Sequence, residues 1–378
     1  MLTQKNKLDF TNQNVYVGFD VHRKNWKVSI LMENVFHKTF SQDPKPELLY
    51  QYLKRNFPGA NYHTAYEAGF CGFWIHNALT SYGVNSMVVN PADIPTTVKE
   101  IIQKEDARDS LKIAKALRGK TLRPIYIPKI STCDDRALVR TRTTLTRDLA
   151  RNKNRVKSYL NFQGIEIPDI HQSGSKTWTK NFIDWLSSVR LQTNSGIENL
   201  NIYIEECKNL KTAKLKVTRK IREISKTEPY NKSTALLQTI PGIGLITAME
   251  ILTEIEDINR FKNFDHFVSY IGIIPSTNSS GEKDRVGEMT SRGHSILRSS
   301  IIESAWVAMR IDTALTKKYL ELSLRMNAQK AIVRIAKKLL SRIFYVLKNE
   351  KTYVYHKINN FKAIKTSKKC ETGIAPLQ

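Results

Sequence analysis

Cysteine is scarce. Four of them in 378 residues, Cys71, Cys133, Cys207 and Cys370, stand too far apart for any CxxC-type zinc spacing. That excludes a structural zinc ribbon or finger, and the pattern reads as isolated thiols in a reducing cytoplasm rather than a disulfide framework. No run of 18 apolar residues occurs, and the opening MLTQKNKLDF carries no signal-peptide pattern, so neither a membrane span nor a secretory leader is expected. Acids are the other shortage: 35 Asp and Glu stand against 60 Lys and Arg, a formal net charge of +25. With 41% apolar residues and a mean hydropathy of −0.39, the chain is nevertheless a globular one, which excludes the acidic and disordered classes. A compact chain with this self-repulsion meets a polyanion, and without a membrane signature that partner is DNA or RNA.

The length suits two or three domains. From residue 14 to about 120, strand-like and helix-like stretches alternate. NVYVGFD (14–20), NWKVSIL (25–31) and FHKTF (36–40) read as three short strands joined by hairpin-length connections. A Pro-initiated helix (PKPELLYQYLKRNF), the strand NYHTAYE (61–67), a helix around FWIHNALTSYG, the strand VNSMVVN (84–90) and the helix ARDSLKIAKALRG follow. That order is the order of a ribonuclease H-like mixed sheet flanked by helices.

The middle differs in kind. Residues 136–157 hold eight basic residues, Arg136, Arg140, Arg142, Arg147, Arg151, Lys153, Arg155 and Lys157, against Asp148 alone. Leu138, Leu145, Leu149, Val156 and Tyr159 recur at three-to-four spacing, giving a helix with one apolar seam and a basic remainder. A second helical stretch carrying Ile197, Leu200, Ile204, Cys207, Ile221 and Ile224 suits an antiparallel partner, with the break marked by Gly164, Pro168 and Ser173-Gly174-Ser175. From about 232, LLQTIPGIGLITAMEIL reads as helix, glycine turn, helix, a hairpin whose turn can present backbone N–H groups to a phosphate. SYIGIIP, a polar loop over 276–293 and amphipathic helices at about 294–310 and 329–349 complete it, and the Lys-rich tail 351–378 is expected to fray. The expected division is 1–130, 131–230, 231–350 and a basic tail.

Asp20 ends the first strand, Glu67 ends the fourth, and Asp106 and Asp109 open a helix. First and fourth strands are neighbours in a ribonuclease H-like sheet, and residues three apart share a helix face, so the four carboxylates can converge. Like charges so placed repel unless a hard divalent ion joins them, Mg²⁺ above all, which can also hold a phosphate. Each acid alone has a plainer reading: a strand-end Asp is commonly a turn residue, and Asp106 with Asp109 could cap and complement a helix N-terminus.

The stretches VGFDVHRKNWKVSI, AYEAGFCGFWIHNAL, VVNPADIP and KEDARDSLKIAKAL, followed by LLQTIPGIG, YIGIIPSTNSSG and MTSRGHSILRSSIIESAW, resemble the DEDD-type insertion-sequence transposases, the family of RNA-guided bridge recombinases. The resemblance runs from about residue 14 to 350. It implies a RuvC-like N-terminal domain, a coiled-coil hairpin and a mostly helical C-terminal transposase domain with a helix-hairpin-helix-like segment. By the same resemblance Asp20, Glu67, Asp106 and Asp109 are the four acids, binding Mg²⁺ (two ions per site, with Mn²⁺ an alternative). The nucleophilic serine is Ser280 immediately before a glycine, with Ser279 as the neighbouring alternative. The chain departs from the usual pattern at Glu105, where Thr is commoner, and at Ser110-Leu111, where Ala-Arg is commoner; neither change removes a ligand.

The resemblance further implies a transient phosphoserine link to DNA, an assembly of dimer to tetramer with a site composed across protomers, and donor and target DNA chosen by a structured noncoding guide RNA. The setting would be the cytoplasm of a bacterial or archaeal cell. Arg136, Arg140, Arg142, Arg147, Arg151, Lys153 and Arg155 are candidate polyanion contacts, and Arg292, His294 and Arg298 in SRGHSILR candidate phosphate binders or, equally, solvated charges at a helix start. Two other classes stay open: a metal-dependent junction nuclease using water, which needs no serine, and a non-catalytic nucleic-acid-binding protein.

Overall fold

The computed structural model describes residues 9–95, 106–172, 178–280, 283–289 and 293–355. They fall into two compact units divided between Pro128 and Lys129.

The first unit is built on a five-stranded mixed sheet. Its elements are β1 (Asn14–Val21), β2 (Trp26–Leu31), β3 (Phe36–Gln42), α1 (Pro46–Asn56), β4 (Asn61–Glu67), α2 (Trp74–Ser81), β5 (Asn85–Val89) and α3 (Asp106–Arg118). All eight lie within a few residues of the stretches expected from periodicity. The spatial order is β3-β2-β1-β4-β5, with β1, β2 and β3 antiparallel and β1, β4 and β5 parallel. Alternation along β1 sorts its side chains between the faces. Val15, Val17 and Phe19 join Trp26, Val28 and Ile30 against Leu49 and Leu53 of α1 and Ile75 and Leu79 of α2. Tyr16 faces the other way, into a smaller core with Ala65, Val89 and the α3 residues Ile113, Ala114 and Leu117. Helices thus cover both faces, which is why these strands are apolar on both sides.

The second unit holds α4 (Ile130–Phe162), α5 (Lys180–Ser188), α6 (Asn194–Ile224), α7 (Asn231–Gln238), α8 (Leu245–Ile255), α9 (Phe264–Ile271), β6 (Pro275–Ser280), β7 (Lys283–Met289), α10 (Ser295–Ile311), α11 (Thr313–Ser323) and α12 (Ala328–Asn349). Helices α4 and α6 run antiparallel: Arg142 Nε donates to Thr218 Oγ1 (3.0 Å), Asn152 Nδ2 to the Tyr203 carbonyl (2.9 Å), and the Tyr159 hydroxyl to the Gly196 carbonyl (3.1 Å). Far from their root they share a core with α5, built on Leu149, Val156, Leu160, Phe182, Leu186, Leu200, Ile204 and Cys207. At the root, Val139 and Ile221 enter the large core formed by α7 to α12.

Three expectations are corrected. The seam of α4 is buried at Leu149 and Val156 as expected, but Leu138, Leu145 and Tyr159 are only half-buried while Val139 and Leu160 are fully packed. The first half of α4 packs on α8 as well as on α6, which turns its buried face. The polar loop over 276–293 contains a two-stranded hairpin, with Thr277 opposite Val286 and Ser280 opposite Lys283; strands this short and polar have no apolar alternation to betray them. Helices α5 and α11 are additional elements. The Ser173-Gly174-Ser175 break, Cys370 and the tail from 356 lie outside the described residues. Among the described residues Cys71, Cys133 and Cys207 are free thiols, and no helix is long and apolar enough to cross a membrane.

Candidate active site

Parallel pairing of β1 with β4 sets Phe19 opposite Tyr66, so the next step of the register sets Asp20 beside Glu67 at the end of the two central strands. Parity does the rest. Asp20 shares a face with Tyr16 and Gly18, and Glu67 shares one with Ala65, and both belong to the side covered by α3.

Helix α3 approaches that face unusually closely, because a Cβ on Gly18 would lie 2.3 Å from both the Ala114 nitrogen and the Ser110 carbonyl oxygen. Glycine is therefore required by contact rather than by backbone dihedral. The buried Ser110 hydroxyl lies 2.8 Å from that of Ser29, which lies 2.6 Å from Thr39, so a chain of hydroxyls ties α3 to β2 and β3. Asp109 precedes Ser110 and is thereby held over the strand carrying Asp20.

The carboxylates are partly open, 20% exposed for Asp20 and 19% for Asp109. His22 Nε2 lies 3.1 Å from Asp20 Oδ2, and Lys112 Nζ lies 3.4 Å from Asp109 Oδ1. Asp106 begins α3, one turn before Asp109, but its side chain lies outside the described residues. Among the described residues no three His, Cys, Asp or Glu side chains are gathered into a ligating cluster. The donor set on this face is all carboxylate, which suits a hard divalent ion, and two of the acids already have a nitrogen-bearing side chain beside them, His22 and Lys112, that such an ion would displace.

The serine-bearing hairpin has a defined base. Helix α9 ends on Gly272 in the left-handed region (φ 81°), and a Cβ on Gly293 would meet the Gly272 Cα at 2.6 Å, so the chain leaves and returns at two touching glycines. The His294 amide closes the contact on the Ile271 carbonyl (3.3 Å). The side chains of Ser279 and Ser280, and all of Arg292, lie outside the described residues.

His294 is engaged directly afterwards. Its Nδ1 accepts from the Leu297 amide (3.2 Å), capping α10, which leaves Nε2 to face Glu254 Oε2 at 2.9 Å. Glu254 on α8 is only 3% exposed and also receives Arg140 through Nε (2.6 Å) and Nη2 (2.9 Å), with Arg136 Nε at 3.2 Å. Burial alone would raise the Glu254 carboxyl, but hydrogen bonds from His294 and Arg140 outweigh it and hold the group down at about 2. Arg136 also donates to the Thr253 carbonyl (2.9 Å).

The expected polyanion contacts therefore divide. Arg136, Arg140 and His294 converge on one buried carboxylate, Arg142 is bonded to Thr218, and Arg151 pairs with Asp148 at 3.2 Å. Arg298 reaches the Gly272 carbonyl at 3.5 Å. Arg147 and Arg155 are exposed, and Lys153 sits 5.0 Å over the Trp178 ring. The PGIG turn divides too: a Cβ on Gly242 (φ 86°) would strike the Ser304 carbonyl at 2.3 Å, so this glycine serves helix packing, while Gly244 opens onto free space. Helix α6 carries a basic face not singled out above, with seven Lys or Arg and no acid between Glu206 and Glu223; its charge run was the available signal.

Known proteins share both halves of this arrangement. Residues 17–163 match a family model for DEDD transposases of IS110 elements, described as a transposase, and residues 234–321 match the model described as the transposase IS116/IS110/IS902 family. The transposase for insertion sequence element IS1533 of Leptospira borgpetersenii is 27% identical over 307 residues, covering 77% of this chain and 84% of the relative. The transposase for insertion sequence element IS1111A of Coxiella burnetii is 24% identical over 290 residues, 75% of this chain and 77% of the relative.

Proposed function

The chain belongs to the IS116/IS110/IS902 family of insertion-sequence transposases, and from that premise we propose that it cleaves and exchanges DNA strands through a phosphoserine intermediate. The observation that carries the proposal is the parallel β1–β4 register, Phe19 opposite Tyr66, whose next positions are Asp20 and Glu67, on strands packed by the helix that bears Asp106 and Asp109. We read the sheet as ribonuclease H-like, in keeping with its strand order.

In this reading Asp20, Glu67, Asp106 and Asp109 hold Mg²⁺, two ions per site or Mn²⁺ in their place. Bound there, the ions would neutralise charge on a phosphodiester and stabilise a leaving oxygen. Ser280 Oγ supplies the nucleophile. Its bond to phosphorus forms as a phosphorus–oxygen bond to the sugar breaks, the serine proton departs to a base, and the released sugar oxygen is protonated. Reversal onto another strand conserves the bond energy, so no nucleotide triphosphate is consumed. The acids belong to the first unit and Ser280 to the second, so the reaction requires both, and a site completed between protomers of a dimer or tetramer meets that requirement. A structured noncoding guide RNA would select donor and target by base pairing while the protein grips backbone and shape.

Two substitutions test this. D20N should lower strand exchange at least about 1000-fold, the scale of losing charge stabilisation at a reacting phosphate, while leaving binding of the element's RNA within about twofold. S280A should abolish the covalent protein–DNA adduct trapped on denaturing gels. If S280A still yields the adduct, the nucleophile is another residue; if it cleaves DNA without any adduct in either protein, water is the attacking group and the junction-nuclease reading replaces this one.

A further inference from the structure

Away from the acids, a cleft of about 290 Å³ opens between α4 and α6 beside α5 and Trp178. Lys153 enters it from α4, and Lys208, Lys211 and Lys214 from α6, spaced three apart so that each lies one turn from the next. Neither wall offers a counter-charge. Residues 149–163 of α4 and 207–222 of α6 contain no Asp or Glu, and among the described residues none of the four lysines has a carboxylate within ion-pair reach.

The floor is of opposite character. Leu149, Ile183 and the exposed Leu215 line it, and Trp178 forms a wall with the Lys153 ammonium 5.0 Å from its ring centroid. Trp178 adopts φ 64°, a left-handed backbone that a bulky side chain rarely takes, and its side chain lines the cleft while packing edge-on against Phe182. Desolvation lowers the Lys153 and Lys214 ammonium groups, helped in each case by like charge nearby, so the site stores an electrostatic cost that an anion relieves.

We propose that this cleft takes one unpaired nucleotide of a single-stranded nucleic acid, its base against the apolar floor and Trp178, its flanking phosphates on the lysines of α6. An inorganic anion would make no use of an apolar, aromatic wall. A duplex cannot present a base to a cleft this small without unpairing it. Cations at successive turns beside an aromatic wall match the combination of backbone tracking and base contact that single strands demand. The proposal rests on the reading of the protein as a nucleic-acid enzyme, but not on its chemistry of strand exchange.

The test uses the full chain and measures fluorescence anisotropy with a 12-nucleotide oligo-U RNA, a 12-nucleotide oligo-dT DNA and a 12-base-pair DNA duplex, at several salt concentrations. K208Q/K211Q/K214Q should weaken binding of single strands at least about tenfold and flatten the log–log salt slope by about 2, the value for three phosphates on a single strand. W178A should weaken single-strand binding about fivefold or more with the slope unchanged and duplex binding intact. Loss confined to the RNA arm assigns the nucleotide to RNA, and loss confined to the DNA arm assigns it to DNA.

A 4-thiouridine or 4-thiothymidine oligomer should crosslink to the peptide containing Trp178. The lysine variant replaces exposed Lys208 and Lys211 and half-buried Lys214 with uncharged side chains of similar length, and keeps the test standing if W178A misfolds by circular dichroism. The cleft assignment is overturned if W178A binds single strands normally, if duplex binding falls equally, or if K330Q/K338Q/K348Q on α12 has the same effect as the α6 variant. A wild-type protein that binds duplex and single strand but is indifferent to both cleft variants defeats the cleft alone. One that binds no nucleic acid defeats the functional reading as well.

Discussion

Gly18 shows how one missing methyl group fixes the distance between a helix and a strand. With the Ala114 nitrogen and Ser110 oxygen both 2.3 Å from where a Cβ would stand, G18A can be accommodated only by lifting α3 from β1. The expected cost is about 3 kcal/mol, the upper range for forcing volume into a packed core, read as a lowered midpoint in urea denaturation. Because Asp109 rides on the same turn, G18A should also depress strand exchange in the fraction that remains folded; full activity with unchanged stability would show that α3 does not need this contact. Ser110, a departure from the commoner Ala, has its explanation here as well, since the hydroxyl it adds is bonded to buried Ser29. The strand-end acids were legible in the sequence because period-two alternation and strand order locate them without any contact being known. The close approach at Gly18 was not, since a glycine in a strand looks the same whether a helix or empty space lies above it.

At the scale of elements, Glu254 is the junction where α8, the root of α4 and the start of α10 are joined. Its carboxyl is depressed in the folded protein relative to an ordinary 4.5, so its contribution is complete above about pH 4.5 and is lost as pH falls towards about 2. The shift corresponds to about 3 kcal/mol. E254Q should therefore lower stability at pH 7 by an amount of that order and lose less stability than wild type between pH 5 and pH 3, measured by urea denaturation at each pH. A variant with an undiminished acid dependence would place the titrating group elsewhere. The charge pattern of α4 could not disclose this sink, because Arg140 and Glu254 are 114 residues apart. Counting charges showed where cations are concentrated, not which of them are already occupied.

Across the whole molecule, the formal charge of +25 is a sum over cations with unequal freedom. Several on the first half of α4 neutralise or bond to the protein itself, while Lys208, Lys211 and Lys214 of α6 have no carboxylate within ion-pair reach among the described residues. The part of the excess available to a polyanion is thus not read from charge density along one helix, and it includes the cleft that α4 shares with α6. Fold class was readable from the order of strands and helices, whereas the hairpin β6–β7 and the residues brought together at Glu254 depend on tertiary pairing that local composition does not encode.

Helix α4 has a mechanical meaning as well. It is anchored near its start, where the Thr132 hydroxyl donates to Glu256 (2.8 Å) and Val139 enters the large core. At 1.5 Å per residue, Lys153 stands about 20 Å beyond Val139 and the end of the helix about 35 Å beyond it. A rotation of about 5° at the root would swing that end by about 3 Å, so α4 is a lever whose fulcrum is Val139 and whose short arm is clasped by Glu254. A load on Lys153 would therefore be felt at Glu254, the carboxylate that Arg140 of α4 shares with His294 at the start of α10.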